Sequence, residues 1–229
     1  MKELLTGVVL AGGHSERMGQ PKPLLMLGGK LMLARVADTL KPLCRELVLV
    51  VRQDQDDDTP DTGIALGMHV VTDTEPERGP VAAIHAGLRA AVTPLVFITG
   101  ADHPFLSRRL IAAMATASYS GGGRSPVGVI PRREGVLHVT HAVLPVADWL
   151  PVFTHALESG ANSPKSIVDS AVTAGTPPVA VMTEDEIEEF DPQLLSLFDV
   201  DTPDALATAR RIASSWGLAV RPDVRPSGL

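Results

Sequence analysis

Apolar runs of strand length alternate along this chain with stretches whose apolar residues recur at helical spacing. GVVLA, residues 7–11, is a continuous apolar run, the pattern of a parallel strand covered on both faces. Leu33, Val36, Ala37 and Leu40 then follow at i, i+3, i+4, i+7, the stripe of a helix. ELVLVVR (46–52) and MHVVTD (68–73) read as second and third strands, and the charged block QDQDDDTPDTG between them as a solvated loop. Pro80 suits the first turn of a helix whose inner face is Val81, Ile84 and Leu88. PLVFITGAD (94–102) is a fourth strand ending on a carboxylate, and Ser107 is an N-cap before Leu110, Ile111 and Met114.

This β-α-β alternation predicts an α/β protein, a three-layer α/β/α arrangement around a mostly parallel, Rossmann-like sheet. After SGGGRSP (120–126), a flexible loop, VGVIPRR and VLHVTHAVL predict two more strands. Helices are expected over 146–158 and 165–174, and FDVD (198–201) as a short last strand. Thr202 and Pro203 are N-cap and first-turn residues for a helix with Leu206, Ala209, Ala213 and Trp216 inward and Gly217 as its stop. The expected organisation is one domain over 1–216 followed by a flexible tail, 217–229.

Composition narrows the function classes. Hydrophobic residues make up 45% of the 229 and charged residues 21%, so a soluble globular chain is expected. A net charge of −7 argues against DNA or an anionic membrane face as partner. Cys44 is the single cysteine, which excludes an intrachain disulfide and fits a reducing compartment. No apolar run approaches ~20 residues and no secretory signal is read at the N-terminus, so the expected location is cytoplasmic.

The chemistry concentrates in VVLAGGHSERMGQPKPLL, residues 8–25. Open parallel sheets bind ligands at the carboxyl ends of their strands, and this stretch leaves one. Gly12 and Gly13 let backbone amides turn toward a ligand. Arg17 and Lys22 add positive charge, and Pro21 and Pro23 restrict the backbone around the lysine. Such a loop is suited to a phosphate chain. It is neither a G-x-x-x-x-G-K-[ST] loop nor a G-x-G-x-x-G turn.

LAGGHSERMGQPKPLL resembles the signature of nucleotidyltransferases with the nucleotide-diphospho-sugar transferase fold, most closely the molybdenum cofactor guanylyltransferase family. VVTDTEPERGPVAAIHAGLRAA, ITGADHPFL and LFDVDTPDAL resemble further stretches of that family in the same order, and LHVTHAVL echoes a His-Pro-Thr strand. The resemblance runs from Val8 to about Leu206. It implies transfer of GMP from GTP to the phosphate of molybdopterin with release of pyrophosphate. Mg²⁺ is the implied cofactor, with Mn²⁺ as an alternative. Proteins that deliver the molybdenum cofactor, or client enzymes that receive it, are the implied protein partners.

Carried over residue by residue, Leu10, Ala11, Gly12 and Gly13 hold the nucleotide through the backbone, and Lys22 meets its phosphates with Arg17 in reach. Asp73 contacts the nucleotide and Asp102 is the metal ligand. Asp199 and Asp201 stand where the guanylyltransferases usually carry asparagine. Asp201 is open to two readings, a second metal ligand beside Asp102 or an acidic residue at the start of the last helix; Asp199 reads as bland. Gly12 and the GPVAAI segment look guanylyl-like, whereas the Asp-x-Asp looks cytidylyl-like, and the family's asparagine after the second strand has no match in VVRQDQ.

Two other enzyme readings stay open, a CTP-dependent molybdopterin cytidylyltransferase and transfer to a sugar phosphate or phospholactate. A catalytically silent nucleotide-binding module is the reading from another class, and the intact Gly12, Lys22 and Asp102 speak against it. His103 reads as a loop position, His85 as a packed helical side chain, and His138 and His141 as out of phase for a shared metal. Arg124, Arg132 and Arg133 read as solvated surface.

Overall fold

The computed structural model describes residues 2–13, 19–73, 75, 78–120 and 125–216. In chain order the strands are β1 (Leu5–Leu10), β2 (Met26–Leu27), β3 (Lys30–Leu31), β4 (Glu46–Arg52), β5 (His69–Asp73), β6 (Leu95–Gly100), β7 (Gly128–Arg133), β8 (Val136–Leu137), β9 (His141–Pro145) and β10 (Val179–Met182). The helices are α1 (Met32–Leu40), α2 (Thr59–Ala65), α3 (Pro80–Ala90), α4 (Arg108–Ala117), α5 (Val146–Glu158), α6 (Pro164–Ala174), α7 (Glu184–Glu188) and α8 (Pro203–Ser215).

The main sheet runs β10-β7-β9-β6-β1-β4-β5, with β8 hairpinned onto β7. β5, β4, β1 and β6 are mutually parallel, and β9 lies antiparallel between β6 and β7. β1 is central because both of its faces are apolar, and alternation along the strands divides the core in two. Leu5 and Val9 join Leu47, Leu49, α1 and α4 on one face. Val8 joins Val48, Val50, α3 and α5 on the other. The expected mostly parallel, three-layer sheet is therefore present.

A third, smaller core lies at one end. There Leu25, Leu27 and Met32 pack with Phe105, Val200 and the inner face of α8. Ser107 and Thr202 cap α4 and α8 through their side-chain oxygens, as read from the sequence.

Four sequence expectations differ. The charged block contains α2, started by Pro60 and held to the sheet where Gly63 lies so close to Leu49 that a Cβ would stand 2.4 Å from its Cδ2. VLHVTHAVL is not one strand: it breaks after Leu137 and resumes as β9. FDVD is not a strand; Val200 is buried in the third core and its N–H bonds a single carbonyl, that of Asp102, at 3.0 Å. Trp216 is 49% exposed, lying edge-on to Phe105 instead of turning fully inward. Gly217, the tail 217–229 and Arg124 lie outside the described residues.

Candidate active site

Because β1, β4, β5 and β6 are parallel, their carboxyl ends open on one edge of the sheet, and the loops there line a cavity of about 350 Å³. Gly12 and Gly13 come from the loop after β1, Arg52 from the end of β4, Asp73 from β5, and Asp102 and His103 from the turn after β6. Gly79, Pro80 and Ala83 reach it from the start of α3, Thr140 from the approach to β9, and Asp199 and Asp201 from the approach to α8. A smaller recess beside it is lined by Leu10, Ala11, Lys22 and Asp102.

The expected backbone cradle divides into two parts. The Leu10 carbonyl accepts from Ala101 N–H and Ala11 N–H donates to the Val50 carbonyl, each at 2.9 Å, so those groups extend the sheet. Among the described residues nothing takes up the N–H of Gly12 or Gly13, and both residues line the cavity.

Lys22 opens a one-turn 3₁₀ helix, Lys22–Leu24, whose N-cap is Pro21; the Pro21 carbonyl accepts from Leu24 N–H at 3.0 Å, and Pro23 is buried. The prolines thus fix the stem, and the ammonium lies between two carboxylates. It donates to Asp102 Oδ2 at 3.3 Å and to Asp201 Oδ1. Asp102 Oδ1 lies 3.1 Å from His103 Nδ1. This fold-back is possible because residue 100 is glycine: a Cβ there would stand 2.3 Å from Asp102 Oδ1 and 2.9 Å from His103 Nδ1.

These contacts set the charges. Burial opposes ionisation of Asp102, but the His103 hydrogen bond and the neighbouring Lys22 outweigh it and hold the carboxyl at about 2. Burial likewise lowers the Lys22 pKa, and the pairing with Asp201 and Asp102 more than reverses this. The Asp199 carboxyl is shifted up, first by desolvation and then by the nearby Asp201. Lys22 and Asp102 are therefore a fixed ion pair at neutral pH, with Asp201 joined to the same ammonium.

Asp73 is buried on the cavity wall, its Oδ1 accepting from Glu75 N–H at 2.9 Å. Arg17, expected to reach the phosphates, lies outside the described residues. His103 lies in the turn after β6, as expected from sequence, but it is buried there and shares a hydrogen bond with Asp102. Arg52 and Thr140 were not singled out by sequence; for Arg52 the available signal was its place at the last position of a buried parallel strand.

Comparison with known proteins bears on this geometry. The family described as the MobA-like NTP transferase domain matches residues 7–183. The chain belongs to this family. A molybdenum cofactor guanylyltransferase of Rhizobium meliloti is 37% identical over 159 residues, covering 66% of this chain and 69% of its own. A second, from Desulfosudis oleivorans, is 29% identical over 90% of this chain and 95% of its own length. The molybdopterin-guanine dinucleotide biosynthesis protein A of Archaeoglobus fulgidus superposes with a TM-score of 0.75 at 22% identity, covering 92% of this chain and 99% of that one. At that identity the superposition bears on fold alone. In this NTP transferase the cradle, Lys22, Asp73 and Asp102 all fall inside the matched span, whereas Asp199 and Asp201 lie beyond it.

Among the described residues no helix is long and apolar enough to cross a membrane. Nor do three His, Cys, Asp or Glu side chains gather there as a metal cluster. Mg²⁺ needs no such cluster, since it is commonly held by one or two carboxylates, water and substrate phosphates.

Proposed function

We propose that the protein transfers GMP from GTP to the terminal phosphate of molybdopterin and releases pyrophosphate. The observation that carries this reading is the placement of Lys22 between Asp102 and Asp201 beside the Gly12–Gly13 cradle, in a chain whose relatives bear the guanylyltransferase name.

The acceptor phosphate is anionic at neutral pH, so its attacking oxygen needs no general base. That oxygen bonds to the α-phosphorus of GTP, the bond from Pα to the bridging oxygen breaks, and pyrophosphate leaves with the electron pair. The work left to the protein is to bring polyanions together in line. Gly12 and Gly13 point amides at the phosphates, and Lys22 neutralises charge on them.

Asp102 and Asp201 fit a divalent cation, because both already converge on one positive centre, the Lys22 ammonium. When bound there, Mg²⁺ or Mn²⁺ supplies charge neutralisation at the phosphates being exchanged. The location in the cell is read as cytoplasmic, and delivery proteins or client enzymes as partners on the acceptor side.

The test is pyrophosphate release from each of the four ribonucleoside triphosphates with Mg²⁺, with and without molybdopterin. Release that depends on molybdopterin and is confined to GTP is the expected result. A preference for CTP overturns the base assignment, and absence of release with any nucleotide overturns the acceptor.

A further inference from the structure

Strand order lays the cavity wall out in a line. Asp102 follows β6, Gly12 follows β1, Arg52 ends β4 and Asp73 ends β5, on successive parallel strands. With neighbouring strands about 4.8 Å apart, the line from β6 to β5 spans about 14 Å. Lys22, Asp102 and Asp201 mark the phosphate end, so Arg52 and Asp73 stand at the far end, where the base of a nucleotide bound along the wall lies.

Arg52 and Asp73 are direct partners in the β4–β5 ladder. The Arg52 side chain is 18% exposed, and its stem lies against the cradle: a Cβ on Gly12 would stand 2.8 Å from Arg52 Cγ. Its Nε lies 3.1 Å from Asp54 Oδ1, and Asp54 is 68% exposed. The ring face beside this pair is apolar, formed by Val50, Pro80 and Ala83. The wall therefore places a guanidinium next to a carboxylate, beside a surface suited to a flat ring.

Guanine offers the complement: acceptors at O6 and N7, donors at N1–H and the 2-amino group. Adenine has a 6-amino donor where guanine has O6, which sets a donor against the guanidinium. We propose that Arg52 selects guanine, donating to O6 and N7 while Asp73 accepts from the N1 side. This deepens the GTP reading and rests on it.

The test is equilibrium binding of GDP, ADP and CDP in the presence of Mg²⁺, which needs neither acceptor nor turnover, for the native chain and for R52Q, R52K and D54N. The native chain is expected to prefer GDP. R52Q should lose about 10- to 100-fold in GDP affinity while ADP and CDP move less than threefold. R52K keeps the charge without the fork and should lose most of the preference, whereas D54N should keep it. Thermal melts establish that each variant is folded, and R52K preserves the stem against Gly12 if R52Q unfolds.

Equal losses for all three nucleotides in R52Q overturn the proposal in favour of a phosphate contact. Unchanged binding reduces Arg52 to a surface pair with Asp54 and overturns it as well. A native chain without guanine preference defeats the GTP reading together with this inference. A native preference that survives in R52Q defeats the inference alone.

Discussion

Adjacent glycines in the cradle are glycine for different reasons. At Gly12 a side chain would strike the stem of Arg52, whereas among the described residues a Cβ on Gly13 would meet nothing within 4 Å. None of the described residues opposes alanine at Gly13, so a closely approaching ligand is the proposed use for the missing atom. Gly13→Ala should therefore leave the melting temperature unchanged within error and raise the KM for GTP at least tenfold. A lowered melting temperature with unchanged KM would mean that the residue serves the fold. At this scale the places of Gly12, Asp73 and Asp102 at the cavity edge were legible because each follows or ends an apolar strand, and position in a parallel sheet fixes which edge such residues reach, whereas Lys22 was read from its flanking prolines and the family resemblance. His103 was not legible. Its burial depends on the room that Gly100 leaves, a contact between backbone and side chains that no periodicity encodes.

The segment before α8 shows how an element's pattern can be right in polarity and wrong in kind. Phe198 and Val200 face inward and Asp199 and Asp201 face the cavity, which is strand alternation, yet the inward pair meets Phe105 and α8 in place of a neighbouring strand. α2 hides for the opposite reason. Its acidic composition and Gly63 read as loop, and only the close packing against Leu49 makes glycine useful there. The approach to α8 also bears on the two readings of Asp201. Thr202 Oγ1 caps the helix, accepting from Ala205 N–H at 3.1 Å, while the Asp201 carboxylate turns to Lys22. Thr202→Ala should cost about 1 kcal/mol of stability by thermal melt. Asp201→Asn should leave the melt unchanged, lower kcat/KM at least tenfold and raise the Mg²⁺ concentration for half-maximal rate. If Asp201→Asn instead behaves like Thr202→Ala, its role is at the helix start.

At the scale of the whole molecule, stability carries a dependence on pH that comes from histidines kept neutral. His141 is fully buried against Phe97, and among the described residues neither ring nitrogen has a hydrogen-bond partner. Burial first, then His103 and His138 nearby, pushes its pKa well below 6.5. Burial lowers His138 and His85 too, with His103 adding to the first and Arg89 to the second. A histidine whose folded pKa is depressed binds its proton more readily in the unfolded chain. Its cost is therefore absent above the unfolded pKa of about 6.5 and grows as pH falls below it, by at most about 1.4 kcal/mol per pH unit for each residue. Asp102 obeys the same sign at lower pH: its stabilisation is complete well above 3.8 and is lost only as pH falls toward about 2, outside this window. The melting temperature should fall between pH 7.5 and 5.5, and His141→Leu, which replaces an unpaired polar ring with an apolar side chain, should make that fall shallower. Parallel pH profiles for the two proteins would show that His141 is not among the groups that take up the proton on unfolding.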